Sequence, residues 1–271
     1  VRRAPLGEIR GIEQSVVAWM VIMWDRPTSA CIRSRGLRRG YSDLVQIITA
    51  PDPAQLADRA AEIIPRLIAD SPGPRTSLGL AGGSTPSLTY ERLRSTDTEW
   101  TNVDTWLSDE RWVPSDHEQS NARMVRDMLL DHVPATFHNL RWGKRRLPQA
   151  AAQEYSAALE TVVGDRPDVV LLGLGDDGHT ASLFPGTDAL KETKAAYVAN
   201  FVPDKGWRLT ATVPLLHAAR HLVFLVTGST KARMLAAVLD GEAYPATMVA
   251  AGAENVTWLV DDAAATHLDR N

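Results

Sequence analysis

The stretch DVVLLGLGDDGHTASLFPG, residues 168–186, constrains this chain more than any other. It opens with four consecutive apolar residues, Val169 to Leu172, the pattern expected of a parallel strand buried on both faces. Gly173 and Gly175 then break the run and deliver Asp176, Asp177, Gly178 and His179 in succession. Ligands of open α/β sheets collect in the loops beyond the carboxyl ends of strands. A histidine set there by glycines can titrate near neutral pH beside a bound molecule. The plainer alternative is a tight glycine turn with His179 capping the next helix. The length of the run, and two further loops of equally specific composition, favour the functional reading.

From Ser42 onward the chain alternates strand and helix patterns. Strands are expected at 44–48, 77–81, 103–107, 169–172, 209–213, 222–226 and 256–260. Asp52-Pro53 starts the first helix as an Asp N-cap with proline in the first turn. Its apolar face runs through Leu56, Ala60, Ile63, Ile64 and Leu67, and Pro65 is expected to kink or break it near its end. Further helices are expected after Pro86, over 121–130, over 149–163 and after Lys231, with Asp261 or Asp262 capping a last one. This rhythm predicts an α/β fold with a mostly parallel sheet and helices on both faces. Residues 42–271 read as a single domain. Residues 1–41, with the short apolar run Ser15 to Trp24 and the arginines around it, read as an unstructured N-terminal extension. That run is too short to span a bilayer, which takes ~20 apolar residues.

Composition removes several function classes. The net charge is −4 and basic residues are scattered, which argues against a nucleic-acid partner. The one cysteine, Cys31, precludes an intrachain disulfide and suits a reducing compartment. The seven histidines are dispersed and no metal-ligand spacing occurs, so no metal is expected.

Three more strand-to-loop junctions carry chemistry. In Ala81-Gly82-Gly83-Ser84-Thr85-Pro86, two glycines allow close backbone approach, and amides at a helix start favour a phosphate or another anion. The loop lacks the closing GK[ST] of a Walker sequence, so a nucleotide is not implied. In Leu107-Ser108-Asp109-Glu110-Arg111, acids and an arginine follow a strand directly, and the run is read as a polar loop. In Val226-Thr227-Gly228-Ser229-Thr230-Lys231, the lysine falls in the first turn of a helix, where the dipole disfavours it unless an anion is present. Solvated surface charge is the structural alternative for both of these clusters.

Together these junctions resemble the 6-phosphogluconolactonase family, within the wider group that includes glucosamine-6-phosphate deaminase. The resemblance runs from about Ser42 to the C-terminus. It rests on GGSTP (82–86), SDERWVP with Ser120-Asn121, GLGDDGHTASLFPG (173–186), RLTATVPLLHAARHLVFLVTG (208–228) with Lys231, and VTWLVDDAA (256–264). It covers neither the N-terminal extension nor Ala199 to Trp207. The resemblance implies a Rossmann-like α/β fold and hydrolysis of 6-phospho-D-glucono-1,5-lactone to 6-phosphogluconate in the cytoplasm, without metal or organic cofactor. The expected partner is a small sugar-phosphate lactone, with no nucleic acid or membrane involved, and the chain is expected as a monomer or small homo-oligomer. His179 is then the catalytic base, Asp177 its orienting group, and Asp109 a further catalytic carboxylate. Gly82, Gly83, Ser84, Thr85, Lys231 and Arg208 form the phosphate grip, with Arg111 and Asn121 near the sugar ring or phosphate and Gly178 also binding substrate or phosphate. The alternatives are a glucosamine-6-phosphate deaminase-like enzyme and a non-catalytic sugar-phosphate binder. Asp177-Gly178-His179 followed by Ser182-Leu183-Phe184-Pro185 favours the lactonase, and a mere binder has no need of His179.

Overall fold

A computed structural model describes residues 45–164 and 166–268, so the expectations for residues 1–41 and for Leu44 lie outside the described residues. The chain runs β1 (Val45–Ala50), α1 (Pro53–Ala69), β2 (Thr76–Leu80), α2 (Ser84–Leu93), β3 (Val103–Leu107), β4 (Asp109–Arg111), α3 (Asn121–Val125) and β5 (Thr136–Phe137). It continues through α4 (Pro148–Val163), β6 (Val169–Leu172), β7 (Tyr197–Val202), β8 (Gly206–Ala211), α5 (Val213–Ala218), β9 (His221–Val226), α6 (Ala232–Leu239), α7 (Pro245–Ala251) and β10 (Val256–Asp261).

Seven strands form one sheet in the order β1-β10-β9-β6-β2-β3-β5, every neighbouring pair parallel. The central strands explain their apolar runs. Val170, Leu172, Leu222 and Phe224 join one buried cluster, whereas Val169, Leu171, Val223 and Leu225 join the other. Alternate residues therefore enter opposite cores, and helices must cover both. Phe224 and Trp258, register partners on β9 and β10, stack at 3.9 Å in one of these layers.

Helix α1 starts as expected, with Asp52 accepting a hydrogen bond from the Gln55 amide at 2.8 Å and proline in the first turn. Pro65, however, does not break it, and the helix continues to Ala69. A mid-helix proline forfeits one backbone bond. The buried face of Leu56, Ala60, Ile64 and Ile68 offsets that loss, holding the last turn on the core.

Two segments depart from the sequence reading. Asp109–Arg111 is a strand, not a loop, and the segment expected at 209–213 is β8, with Val213 already in α5. Both belong to a second, antiparallel sheet of order β4-β8-β7 that stands beside the first. β7 lies in the stretch for which no sequence pattern was read. At the C-terminus, Asp261 accepts a hydrogen bond from the Ala264 amide at 2.7 Å, but the turn it caps is only Ala264–His267.

Candidate active site

Strands β9, β6, β2 and β3 are adjacent and parallel, so the loops that follow them emerge on one side. These are the four loops singled out in the sequence. The Thr85 and Thr227 hydroxyls join two of them at 2.6 Å. Between the loops and the small sheet lies a cavity of about 310 Å³. Of the residues expected at the site, Gly82, Gly83, Asp109, Arg111, Asn121, His179, Arg208 and Lys231 line it. Ser84, Thr85, Asp177 and Gly178 do not. Thr85 is turned to Thr227, Ser84 is exposed at the start of α2, and Gly178, left-handed at φ 78°, packs on the Tyr244 ring.

Close packing explains two of the glycines. A Cβ on Gly82 would lie 2.0 Å from Asn121 Oδ1, and one on Gly175 would lie 2.0 Å from His179 Nδ1. The Gly175 amide also donates to the His179 carbonyl at 2.8 Å. The imidazole is thus seated directly on backbone.

His179 Nδ1 is hydrogen-bonded to Asp177 Oδ1, and its ring stacks on Phe184 at 4.0 Å. Nε2 has no partner among the described residues and is the nitrogen left for chemistry. Burial pushes the Asp177 carboxyl up, but the bond and charge from the His179 ring outweigh it and hold the group below its ordinary 3.8. Asp177 therefore stays a carboxylate and favours the tautomer with the proton on Nδ1.

The opposite wall is charged. Arg111 and Arg208 are cross-strand partners in β4 and β8, a like-charge pairing that costs stability in a sheet. Burial and the neighbouring Arg111 charge both lower the Arg208 pKa from its ordinary value. Arg111 donates to the Gln119 carbonyl at 2.7 Å and Arg208 to the Lys205 carbonyl at 2.5 Å, so neither guanidinium has a carboxylate partner there. Lys231 pairs with Asp176 at 2.6 Å.

Asp109 and Glu110 point in opposite directions from one short strand. Asp109 accepts from Ser182 Oγ at 2.6 Å and Asn121 Nδ2 at 3.2 Å, fixing both beside the cavity. Ala181, left-handed at φ 49°, precedes that serine. Glu110 is buried away from the cavity. It accepts the Arg111, Asn121 and Ala122 amides at 2.7, 2.7 and 2.8 Å and the Ser120 hydroxyl at 3.0 Å. Burial raises its pKa from the ordinary 4.5, against the pull of those amides. It anchors the start of α3 and hence Asn121.

Ser182, Phe184 and Lys205 also line the cavity and are not among the expected site residues. The first two lie inside the most distinctive motif. For Lys205 the available signal was Pro203-Asp204-Lys205-Gly206, a turn composition between aromatic, strand-favouring residues.

A Rossmann-like sheet whose strand-end loops enclose a cation-lined cavity beside a carboxylate-oriented histidine defines an α/β protein built to take a small anion. Comparison with known proteins makes the class specific. The family model described as glucosamine-6-phosphate isomerases/6-phosphogluconolactonase matches residues 51–258. A 6-phosphogluconolactonase of a Nostoc species is 35% identical over 233 residues, covering 80% of this chain and 96% of that protein. One from a Synechocystis species is 39% identical over 209 residues, covering 71% and 84%. The solved 6-phosphogluconolactonase from Trypanosoma cruzi superposes with a TM-score of 0.75 at 29% identity, over 82% of this chain and 96% of that one. The chain belongs to the glucosamine-6-phosphate isomerase/6-phosphogluconolactonase family.

Proposed function

We propose that this chain hydrolyses 6-phospho-D-glucono-1,5-lactone to 6-phospho-D-gluconate, the second step of the oxidative pentose phosphate pathway. The observation that carries the reading is the His179–Asp177 pair at one edge of a cavity ringed by Arg111, Arg208, Lys205 and Lys231. A lactone is an activated ester, so catalysis needs a positioned water, a base and stabilisation of the tetrahedral oxyanion. His179 Nε2 takes the water proton as the oxygen bonds to C1 and the carbonyl electron pair moves onto its oxygen. Collapse of the adduct breaks the bond from C1 to the ring oxygen, which receives the proton back from the imidazolium. The acid released ionises in solvent.

Asp177 orients the ring throughout. Asp109 acts by holding Asn121 and Ser182 against the substrate. The phosphate binds among the Gly82–Gly83 amides, Lys231 and the two arginines, and this grip supplies orientation. Lys231 leaves Asp176 for the substrate phosphate. We infer a cytoplasmic location, in keeping with a single cysteine.

The test generates the lactone in situ from glucose 6-phosphate with its dehydrogenase and follows its loss against the spontaneous rate. The wild-type protein should accelerate that loss. His179→Asn should cut kcat by about 10²–10⁴, the usual worth of a positioned acid–base group, with KM little changed. Near-normal turnover in His179→Asn would rule out this mechanism.

A further inference from the structure

The hairpin that joins β7 to β8 is shaped around one residue. Asp204 at φ 62° and Gly206 at φ 74° are both left-handed, and Lys205 sits between them. A left-handed backbone is uncommon for a residue with a side chain, although aspartate tolerates it better than most. The Lys205 amide donates to the Val202 carbonyl at 3.1 Å, and its own carbonyl takes the Arg208 guanidinium. Phe201 and Trp207 brace the hairpin edge to face at 5.3 Å. The Trp112 amide, donating to the Trp207 carbonyl at 3.1 Å, ties it to the end of β4. These four contacts hold the turn.

What it presents is an ammonium group 5.5 Å from the centre of the Phe184 ring, the ring on which His179 stacks. Lys205 thus stands at the histidine end of the cavity. The other three cations differ from it in one respect. Lys231 is paired with Asp176, and Arg111 and Arg208 each donate to a main-chain carbonyl. Among the described residues, no hydrogen-bond acceptor is matched to the Lys205 head group. Its contact is the aromatic face alone, a geometry that attracts a cation without satisfying its donors.

We propose that Lys205 stabilises the oxyanion that forms at C1 and the carboxylate that replaces it. The inference rests on the lactonase reading above and answers what that reading leaves open, the identity of the group that meets the developing charge. The negative charge appears where water adds, beside His179, whereas the substrate phosphate is fixed by other loops. A lysine with free donors on that side interacts more strongly with the transition state than with the neutral carbonyl. Its contribution therefore falls on kcat.

Lys205→Met keeps the length and apolar stem of the side chain and removes only the charge. It should lower kcat by about 10- to 100-fold, at or below the usual effect of one oxyanion donor because this lysine is solvent-exposed. KM should stay within about twofold of wild type, and Lys205→Arg should recover most of the rate. Inhibition by 6-phosphogluconate should weaken, while inhibition by inorganic phosphate should not change. An unchanged Tm would show that the hairpin is intact. Wild-type kcat in Lys205→Met would overturn the proposal, as would a loss confined to KM with a matching loss of phosphate inhibition, since Lys205 would then be a phosphate ligand. A wild-type protein without turnover would remove the lactonase reading and this proposal together. An active wild type beside an equally active Lys205→Met removes the proposal alone.

Discussion

The seven-stranded sheet reaches the cavity with backbone, one oriented histidine and Lys231, whereas the three-stranded sheet supplies the other charged side chains. Gly82, Gly83, Gly173 and Gly175 follow parallel strands, and His179 is seated on the last of them. Asp109 and Arg111 come from β4, Arg208 from β8, and Lys205 from the turn before it. The first region is defined by close approach at Gly82 and Gly175, where an added Cβ would meet Asn121 and His179. The second is defined by charge and carries a cross-strand arginine pair that disfavours its own folding. The close-packed geometry and most of the charge are thus set by different parts of the fold, and each can be perturbed separately.

The largest effect should come from adding one methyl group to the first region. Gly175→Ala would place a Cβ 2.0 Å from His179 Nδ1, so the ring must move. Displacement of a catalytic group by about 1 Å can cost about 10²-fold, and we expect a kcat loss of that order with KM nearly constant. Turnover close to wild type would mean that the imidazole position does not depend on this contact.

Asp177→Asn should follow, with a kcat loss of about 10- to 100-fold, because the half-exposed pair gains less from its carboxylate than a buried one. The sign of its pH dependence is set by the lowered pKa of Asp177. A depressed carboxyl contributes fully above its ordinary 3.8 and loses that contribution only as the pH falls through the lower, folded value. Asp177 itself should therefore add no ionisation to the wild-type rate profile between about pH 5.5 and about pH 8. A wild-type profile that falls with the protonation of two groups in that range would show the carboxylate titrating there.

The same division governs what could be read from sequence. The central strands of the large sheet are legible because both of their faces enter cores, so Val169 to Leu172 and Leu222 to Val226 are unbroken apolar runs, whereas the two-residue edge strand β5 carries no such run. Their following loops are legible because only glycine fits where Asn121 and His179 lie on backbone. The small sheet was not legible as such. β4 is Asp109-Glu110-Arg111, three charged residues whose directions are set by a cavity on one side and four donors on the other. Hydrophobic alternation carries no signal there. A break at Pro65 is averted for the complementary reason, a local rule being outweighed by burial along the rest of α1.

A substitution in the charged region should affect binding and leave folding alone. Arg111→Met removes one cation from the cavity and keeps an apolar stem. We expect KM to rise about 10-fold, the scale of one lost hydrogen bond to a charged group. The hydrogen bond to the Gln119 carbonyl is lost, but so is the repulsion from Arg208. Stability should therefore stay within about 0.5 kcal/mol of wild type. A marked fall in Tm with KM unchanged would make Arg111 a structural residue and erase the contrast between the two sheets.

Glu110→Gln tests the link between the regions, because Glu110 belongs to the small sheet but fixes Asn121, which lies across the Gly82 loop. One carboxyl oxygen accepts the Arg111 and Asn121 amides, and the other accepts the Ala122 amide and the Ser120 hydroxyl. Serine can reverse its hydroxyl to face a glutamine NH₂, but the Ala122 amide cannot, so one pair of donors is left opposed. Turning the glutamine over would oppose two. The expected cost is about 1–3 kcal/mol in a denaturant titration, with activity reduced by no more than the loss of folded protein. Burial raises the folded pKa of Glu110, so its protonation stabilises the folded state below the ordinary 4.5, and this is lost as the pH rises through the raised value. Glutamine does not titrate, so the stability gap between wild type and variant should narrow across that rise. A gap that widens instead would show the four donors outweighing burial, with Glu110 held as a carboxylate throughout.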